Sequence, residues 1–362
     1  MHDDRSATDR EGAAATMSMP PTRPGLLRSL AHRLAGDEDV LPVEGDLPPF
    51  SGATGWLNSA PLTPETLRGR VVLVDFWTYT CINWLRTLPY VRAWDAKYRP
   101  LDLTVIGVHT PEFGFEQDVD NIVAQARSFG VEYPIAVDSN YGVWEAFANH
   151  FWPAVYIADA QGRIRYHHFG EGEYAMQEMV VQQLLSEAGA DGVDQDLVVV
   201  EPAGFEVPAD WQALRSPETY LAYGRSAGFA SAEHARLGTP HAYPEPSHLG
   251  LNQWAPSGTW TLAQHAAVVR EPGGRIAFGF QARDVNLVMG PSTSGVPVRF
   301  RVLLDGSAPG GSHGLDVDEA GNGILADQRL YQLIRQPGSF GQRRFEIEFL
   351  AAGAEAYCFT FG

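Results

Sequence analysis

A hydrophobic strand that leads directly into a helix constrains this chain most. Residues 71–77 (VVLVDFW) are apolar apart from one aspartate, a pattern typical of a parallel strand that is buried on both faces. Residues 85–98 follow, with apolar positions along one helical face. The segment between them, residues 78–84 (TYTCINW), places a cysteine at the start of the helix. This strand–turn–helix unit predicts an α/β domain.

The segments that follow fit an α/β domain. Strands are predicted at 103–108, 154–158 and 163–169, and helices at 118–129 and 174–188. The turn at residues 159–162 (DAQG) makes the last two strands an antiparallel hairpin. The order β-α-β-α-β-β-α therefore predicts a parallel core with an antiparallel edge, over residues 46–190.

The C-terminal part of the chain has a different pattern. Between residues 251 and 362, seven short alternating or β-branched segments are separated by turn residues, which predicts an all-β sandwich of the jelly-roll type. Residues 191–250 are rich in Gly, Pro and Asp and are predicted to form a connector. Residues 1–45 are predicted to be a flexible tail. A chain of 362 residues is long enough for two domains.

Composition excludes several classes of partner. The net charge of −18 disfavours binding to nucleic acid, because phosphate backbones are repelled. No run of 18 apolar residues predicts a membrane span. The polar N-terminal segment has no apolar core of a secretory signal, which predicts a cytoplasmic protein.

The two cysteines, Cys81 and Cys358, are too few for a disulfide framework. Cys81 is the predicted catalytic residue, because amide groups and the dipole at a helix start stabilise a thiolate. A second thiol three residues later would resolve a mixed disulfide within the turn, but that position is Trp84. Cys358 lies in an alternating terminal segment, where it is either a buried structural cysteine or a resolving thiol.

Several motifs together resemble a known family. Residues 77–83 (WTYTCIN), 107–113 (GVHTPEF), 149–154 (NHFWPA) and 169–172 (FGEG) are similar to the thioredoxin-like region of DipZ-type thiol:disulfide interchange proteins and their redoxin relatives. The resemblance covers residues 46–190, and the β-rich part resembles the carbohydrate-binding-module-like domain of that family. It implies a thioredoxin fold and dithiol exchange, with Trp84 as a departure from the family pattern.

The thioredoxin fold implies further site residues. Pro153 is expected to be a cis-proline that faces Cys81 and leaves a backbone edge for substrate; an ordinary strand-edge proline is the alternative. His109 and Glu112 follow the strand at 103–108 and are candidate acid–base groups, although His109 can instead be a hydrogen-bonded imidazole in a turn. Six residues are assigned to substrate binding: Trp77, Thr80, Asn83, Trp84, Trp152 and Pro153.

Other activities have weaker sequence support. Thr78 and Cys81 share the spacing of the peroxiredoxin motif, but Val74 and Pro153 stand where that motif and its supporting arginine are expected, so peroxidase activity is poorly supported. The adjacent His167 and His168 do not suit a shared metal ion, and we predict no metal and no cofactor.

The sequence therefore predicts a monothiol oxidoreductase. Cys81 attacks a disulfide, with a protein disulfide as a possible substrate, or is oxidised to sulfenic acid. An external thiol reductant, either a small thiol or a reductase, then restores it. The alternative is a non-catalytic protein that binds a peptide at this site or a glycan on the β domain, where Trp254, Trp260 and Tyr331 are either a sugar-stacking surface or core.

Overall fold

The computed structural model describes residues 41–293, 295–338 and 340–362. The described chain forms two compact units that divide between residues 202 and 203. We call residues 41–202 the thioredoxin unit and residues 203–362 the β unit. The predicted tail at 1–45 lies outside the described residues, apart from its last five.

The thioredoxin unit contains the predicted α/β elements and four short additional ones. Its strands are β1 (Gly45–Asp46), β2 (Gly55–Leu57), β3 (Val71–Trp77), β4 (Leu103–His109), β5 (Ile135–Val137), β6 (Ala154–Ala158) and β7 (Arg163–Phe169). Its helices are α1 (Ile82–Tyr98), α2 (Val119–Ser128), α3 (Gly142–Ala146) and α4 (Tyr174–Glu187). Strands β1, β2 and β5 and helix α3 are only two to five residues long, too short for a periodic pattern.

A single seven-stranded sheet, with the order β1-β7-β6-β3-β4-β5-β2, organises this unit. Strands β3, β4 and β5 run parallel, and β6, β7 and the short outer strands pair antiparallel. All seven residues of β3 are buried, as a central strand covered on both faces requires. The predicted α/β thioredoxin-like fold, with a parallel core and an antiparallel edge, is confirmed.

The β unit contains eleven strands among its described residues. They are β8 (Thr219–Tyr220), β9 (His241–Tyr243), β10 (Trp254–Leu262), β11 (Ala267–Val269), β12 (Gly274–Phe280), β13 (Asp284–Pro291), β14 (Val298–Leu304), β15 (Asn322–Leu325), β16 (Arg329–Arg335), β17 (Arg343–Phe349) and β18 (Ala354–Phe361).

These strands form two layers that share β10. The first half of β10 pairs with β12, in the order β15-β14-β17-β12-β10, and its second half pairs with β11, in the order β10-β11-β18-β13-β16. Phe359 of β18 lies between the layers, with its ring centroid 5.1 Å from that of Phe278 and 5.7 Å from that of Phe345. The predicted all-β sandwich is therefore observed.

The structure differs from the predicted connector at 191–250. Residues 203–250 group with the β unit, because Thr219–Tyr220 pairs with β18 and His241–Tyr243 pairs with β10. These strands are two and three residues long and carry little periodic signal in the sequence.

Gly258 occupies the point where β10 passes from one layer to the other. Its φ of +83° lies in the left-handed region, and a Cβ there would lie 3.2 Å from the Cα of Gly274. Both observations favour glycine at this position.

We predict that Gly258→Ala destabilises the protein more than Gly306→Ala does. Gly306 is the control: it also has a positive φ (+76°), but a Cβ added to it would have no atom within 4 Å. Its replacement by alanine therefore costs only the strain of a non-glycine residue in the left-handed region. The crowded position should add about 1 kcal/mol to the loss of unfolding free energy, measured by urea denaturation. Equal losses would show that the layer crossing tolerates a side chain.

Candidate functional site

Cys81 lies where the end of β3 turns into α1. It is the N-cap residue of α1 and is half-buried. Its N–H donates to the carbonyl of Thr78 (3.2 Å), and its carbonyl accepts from the N–H of Leu85 (3.0 Å), which starts the helical hydrogen-bond pattern. The amide groups of the first helical turn and the helix dipole favour negative charge at this end. This position therefore suits a thiolate nucleophile.

The loop before β6 lies directly beside the thiol. The Sγ atom of Cys81 is 3.8 Å from the carbonyl oxygen of Trp152, and the Trp152–Pro153 peptide bond is cis. The carbonyl of Pro153 accepts from the N–H of Gly170 (2.8 Å). Trp152 is held by its indole N–H, which donates to the carbonyl of Thr110 (3.1 Å). The thiol thus faces a backbone segment fixed on both sides.

Trp84 does not line the surface of the site. Its side chain is 0% exposed, stacks on Trp77 with a centroid distance of 4.3 Å, and donates from Nε1 to Oδ2 of Asp75 (2.9 Å). Burial raises the pKa of Asp75 to about 7, while the hydrogen bond from Trp84 lowers it. The assignment of Trp84 to substrate binding is therefore wrong, because its indole fills the interior beneath the turn.

The other predicted substrate-binding residues divide into two groups. Trp77 is fully buried, and Thr80 is buried with its hydroxyl donating to Glu116, so neither side chain reaches the surface. Asn83 and Trp152 are half-buried, and Pro153 is buried. Asn83 and Trp152 therefore remain the candidates whose side chains can meet a substrate.

Glu116 is a site residue that the sequence analysis missed. It is fully buried, and one carboxylate oxygen accepts from the N–H (3.3 Å) and hydroxyl (2.7 Å) of Thr80. The other accepts from the N–H groups of Glu112 (2.6 Å) and Phe113 (2.9 Å). Burial raises the pKa of Glu116 to about 7, and its hydrogen bonds oppose that rise. Glu116 thus ties the turn before Cys81 to the loop after β4.

His109, a candidate acid–base group, is buried at the end of β4. Its ring is T-shaped against Trp77 (4.7 Å) and stacked on Tyr79 (5.6 Å), and neither ring nitrogen has a hydrogen-bond partner. Burial lowers its pKa to about 3, so the imidazole stays neutral at physiological pH. Glu112 is half-buried in the following loop.

A buried ion pair joins the loop after β7 to helix α1. Arg86 of α1 and Glu171, which follows β7, are 3.0 Å apart, and both are almost completely buried. Burial raises the pKa of Glu171, and the Arg86 guanidinium opposes that rise. The guanidinium therefore neutralises a carboxylate of its own domain.

The cysteine and the candidate stacking residues of the β unit are all buried. Cys358 is buried in β18, where it pairs with Val288 and Tyr220. Trp254, Trp260 and Tyr331 are all fully buried in the sandwich core, so they do not form a sugar-stacking surface. Among residues 41–293, 295–338 and 340–362, no group of His, Cys, Asp or Glu could hold a metal ion, and no helix could span a membrane.

Comparison with known proteins places the chain in a family. Residues 216–362 match the family described as "Thioredoxin like C-terminal domain", which is the β unit without its first residues. Protein DipZ of Mycobacterium bovis is 38% identical over 250 residues, which cover 68% of this chain and 35% of DipZ. The chain is a DipZ-like protein with a thioredoxin fold. It aligns with about a third of the length of DipZ.

A smaller relative aligns over nearly its whole length. The thiol-disulfide oxidoreductase YkuV of Bacillus subtilis is 29% identical over 141 residues, which cover 39% of this chain and 95% of YkuV. The chloroplastic protein SUPPRESSOR OF QUENCHING 1 of Arabidopsis thaliana is 32% identical over 148 residues, which cover 41% of this chain and 14% of that protein.

We predict that Asp75→Asn reduces the pH dependence of stability. The carboxyl of Asp75 has a pKa of about 7 in the folded state and near 4 when unfolded, so the folded state binds the extra proton. Its contribution to stability is therefore complete below about pH 4 and is lost as the pH rises through 7, by a few kcal/mol in order of magnitude. In the variant, the amide oxygen of the introduced asparagine can still accept the hydrogen bond from Trp84, but the side chain does not titrate. The variant should therefore lack this pH-dependent loss of stability.

Urea unfolding between pH 5 and 8 measures the effect as a difference between parent and variant. That difference removes the opposite contribution of His109, whose lowered pKa makes stability rise with pH between about 3 and 6.5. Asp102→Asn, at an exposed residue, is the matched control. A parent–variant difference that does not change with pH would contradict the assignment to Asp75.

Proposed function

We propose that this protein catalyses thiol–disulfide exchange with a single thiol. Two observations together carry the proposal. Cys81 is half-buried at the start of α1, and Trp84, three residues later, occupies the position of a second cysteine and is buried in a hydrogen bond to Asp75. The first residue supplies a nucleophile. The second removes the thiol that would resolve its products within the turn.

The reaction has two balanced steps. The Cys81 thiolate attacks one sulfur of a substrate disulfide, forms a mixed disulfide with it, and releases the other sulfur as a thiolate. An external thiolate then attacks the sulfur of the bound substrate, which regenerates the Cys81 thiolate. The external thiol and the substrate leave joined by a disulfide, so the two electrons come from the external thiol.

The neighbouring groups have roles that fit this scheme. The cis peptide bond at Pro153 and the carbonyl of Trp152 lie beside Sγ and can receive the backbone of a substrate. Asn83 is half-buried on the first turn of α1. The name of YkuV as a thiol-disulfide oxidoreductase supports this class of chemistry for the chain.

Reaction with 2-hydroxyethyl disulfide tests the proposal. Intact-mass measurement should show one adduct per chain on Cys81, which a small thiol removes. Cys81→Ser should abolish the adduct, and Cys358→Ser should leave its rate within about twofold, since Cys358 is buried. A Cys81 that stays unmodified would instead favour the non-catalytic binding protein.

We predict that Trp84→Cys releases mixed disulfides without an added thiol, because it restores a resolving cysteine at the required spacing. The variant should also lose about 3–5 kcal/mol of stability, since a fully buried indole is removed. Trp84→Ser creates a similar cavity without a thiol and is the control. The prediction would be refuted if both folded variants released the mixed disulfide, or if neither did.

A further inference from the structure

The turn that presents Cys81 is held by one carboxylate from a later segment. Both donors of Thr80, the residue before Cys81, reach the same oxygen of Glu116: the N–H at 3.3 Å and the hydroxyl at 2.7 Å. The other oxygen accepts from two N–H groups of the loop after β4. Glu116 is 0% exposed. A change in this carboxylate therefore acts on the residue next to the thiol.

Neutral groups hold the charge of Glu116. Three of its four hydrogen-bond donors are backbone N–H groups, which cannot accept a proton from a carboxyl, so the set of donors favours the ionised form. In the part of the chain that the structure describes, no ion pair involves Glu116, whereas the similarly buried Glu171 is paired with Arg86. Among the described residues, the charge beside the turn is therefore balanced by hydrogen bonds alone.

Cys81 places a second negative charge near Glu116 when its thiol ionises. Consecutive Cα atoms are about 3.8 Å apart, so a carboxylate that contacts Thr80 lies within about 10 Å of the Cys81 thiol. Two negative charges at this distance in a partly buried site disfavour each other. The start of α1 acts in the opposite sense, because its N–H groups and dipole stabilise a thiolate. The reactivity of the thiol therefore depends on a balance between the helix and the carboxylate.

The other titratable groups around Glu116 come from its own loop, from the turn and from the end of β4. Glu112, on the same loop, is half-buried and acidic. Tyr79, from the turn, donates its hydroxyl to the carbonyl of Phe115 (3.4 Å), and a phenol is protonated at physiological pH. His109 stacks on Tyr79 and stays neutral, because burial lowers its pKa to about 3. These groups supply no positive charge that would offset the carboxylate.

We propose that Glu116 is a positioning residue for exchange at Cys81, which holds the turn through Thr80 and restrains ionisation of the thiol by its negative charge. This role rests on the proposed single-thiol exchange and adds a residue to that site. Glu116 is buried and does not touch the substrate.

The charge of Glu116 acts on both steps of the exchange. It lowers the fraction of Cys81 that is thiolate and ready to attack a disulfide. In the second step, Cys81 is the leaving group, and a thiol that ionises less readily leaves more slowly. Glu116 therefore prolongs the life of the mixed disulfide.

Glu116→Gln tests the charge, because the amide oxygen of the new side chain can still accept from Thr80. Alkylation of Cys81 by iodoacetamide, followed by mass spectrometry across pH, gives the midpoint at which the thiol becomes reactive. The midpoint should fall by roughly half to one pH unit. Release of the 2-hydroxyethyl disulfide adduct by 2-mercaptoethanol should become about threefold faster. Asp120→Asn, which removes an exposed acid from the first turn of α2, is the control and should change neither value.

Thr80→Val tests the hydrogen bond, because it removes the hydroxyl contact and keeps the charge of Glu116. The variant should slow exchange with 2-hydroxyethyl disulfide several-fold on the high-pH plateau, where Cys81 is fully ionised, since the thiol is held less well. Its midpoint should not fall. Thr80→Ser, which keeps the hydroxyl, should remain closer to the parent on the plateau than Thr80→Val. Urea unfolding establishes that each variant is folded.

The outcomes separate the two proposals. An unchanged or higher midpoint in folded Glu116→Gln, or an unchanged plateau rate in Thr80→Val, would overturn the role of Glu116 and leave single-thiol exchange standing. Failure of 2-hydroxyethyl disulfide to modify Cys81 in the parent would overturn the proposed function, whereas alkylation would still report the effect of Glu116 on the thiol.

Discussion

The hydrogen bond from the Trp84 indole to the Asp75 carboxyl is the interaction on which this site depends. Both groups are fully buried, and a buried polar group without a partner costs about 1–3 kcal/mol. Trp84 satisfies one carboxyl oxygen and packs against Trp77, which in turn contacts His109. The indole therefore serves as a structural support at a position where a redox turn with two thiols has its resolving cysteine.

Three polar linkages hold the loops around the thiol. Glu116 joins the turn before Cys81 to the loop after β4, and Arg86 joins α1 to Glu171 after β7. Thr110 donates to the carboxylate of Asp138, which also accepts from the first N–H groups of α3. Each of these links joins two different segments of the thioredoxin unit. The positions of the thiol and of the cis-proline loop therefore depend on tertiary contacts as well as on the turn that contains Cys81.

The sequence predicted the regular framework because periodicity and burial determine it locally. The strands at 154–158 and 163–169 have the predicted bounds, whereas α1 begins three residues earlier than predicted. The first turn of α1 carries Asn83 and Trp84, which precede the apolar stripe that predicted the helix. Trp84 nevertheless lies four and seven residues before Leu88 and Val91, a spacing that places it on the buried face.

The site residues that were missed or misplaced depend on tertiary contacts. Glu116 contacts Thr80, which is 36 residues earlier, so no local pattern reveals it. His109 is the last residue of β4, one residue beyond the predicted strand, but its burial comes from Trp77 and Tyr79 in another segment. The one signal in the sequence was Asp75, an acidic residue within an apolar strand, which indicates that a buried donor must face it.

The lifetime of the Cys81 mixed disulfide tests the central claim most directly. The protein would be converted to a stoichiometric mixed disulfide, freed of small molecules, and followed by intact-mass measurement without any added thiol. If Trp84 has replaced the resolving cysteine, the adduct should persist unchanged until an external thiol is supplied. Spontaneous loss of the adduct with formation of a disulfide between Cys81 and Cys358 would contradict the single-thiol account.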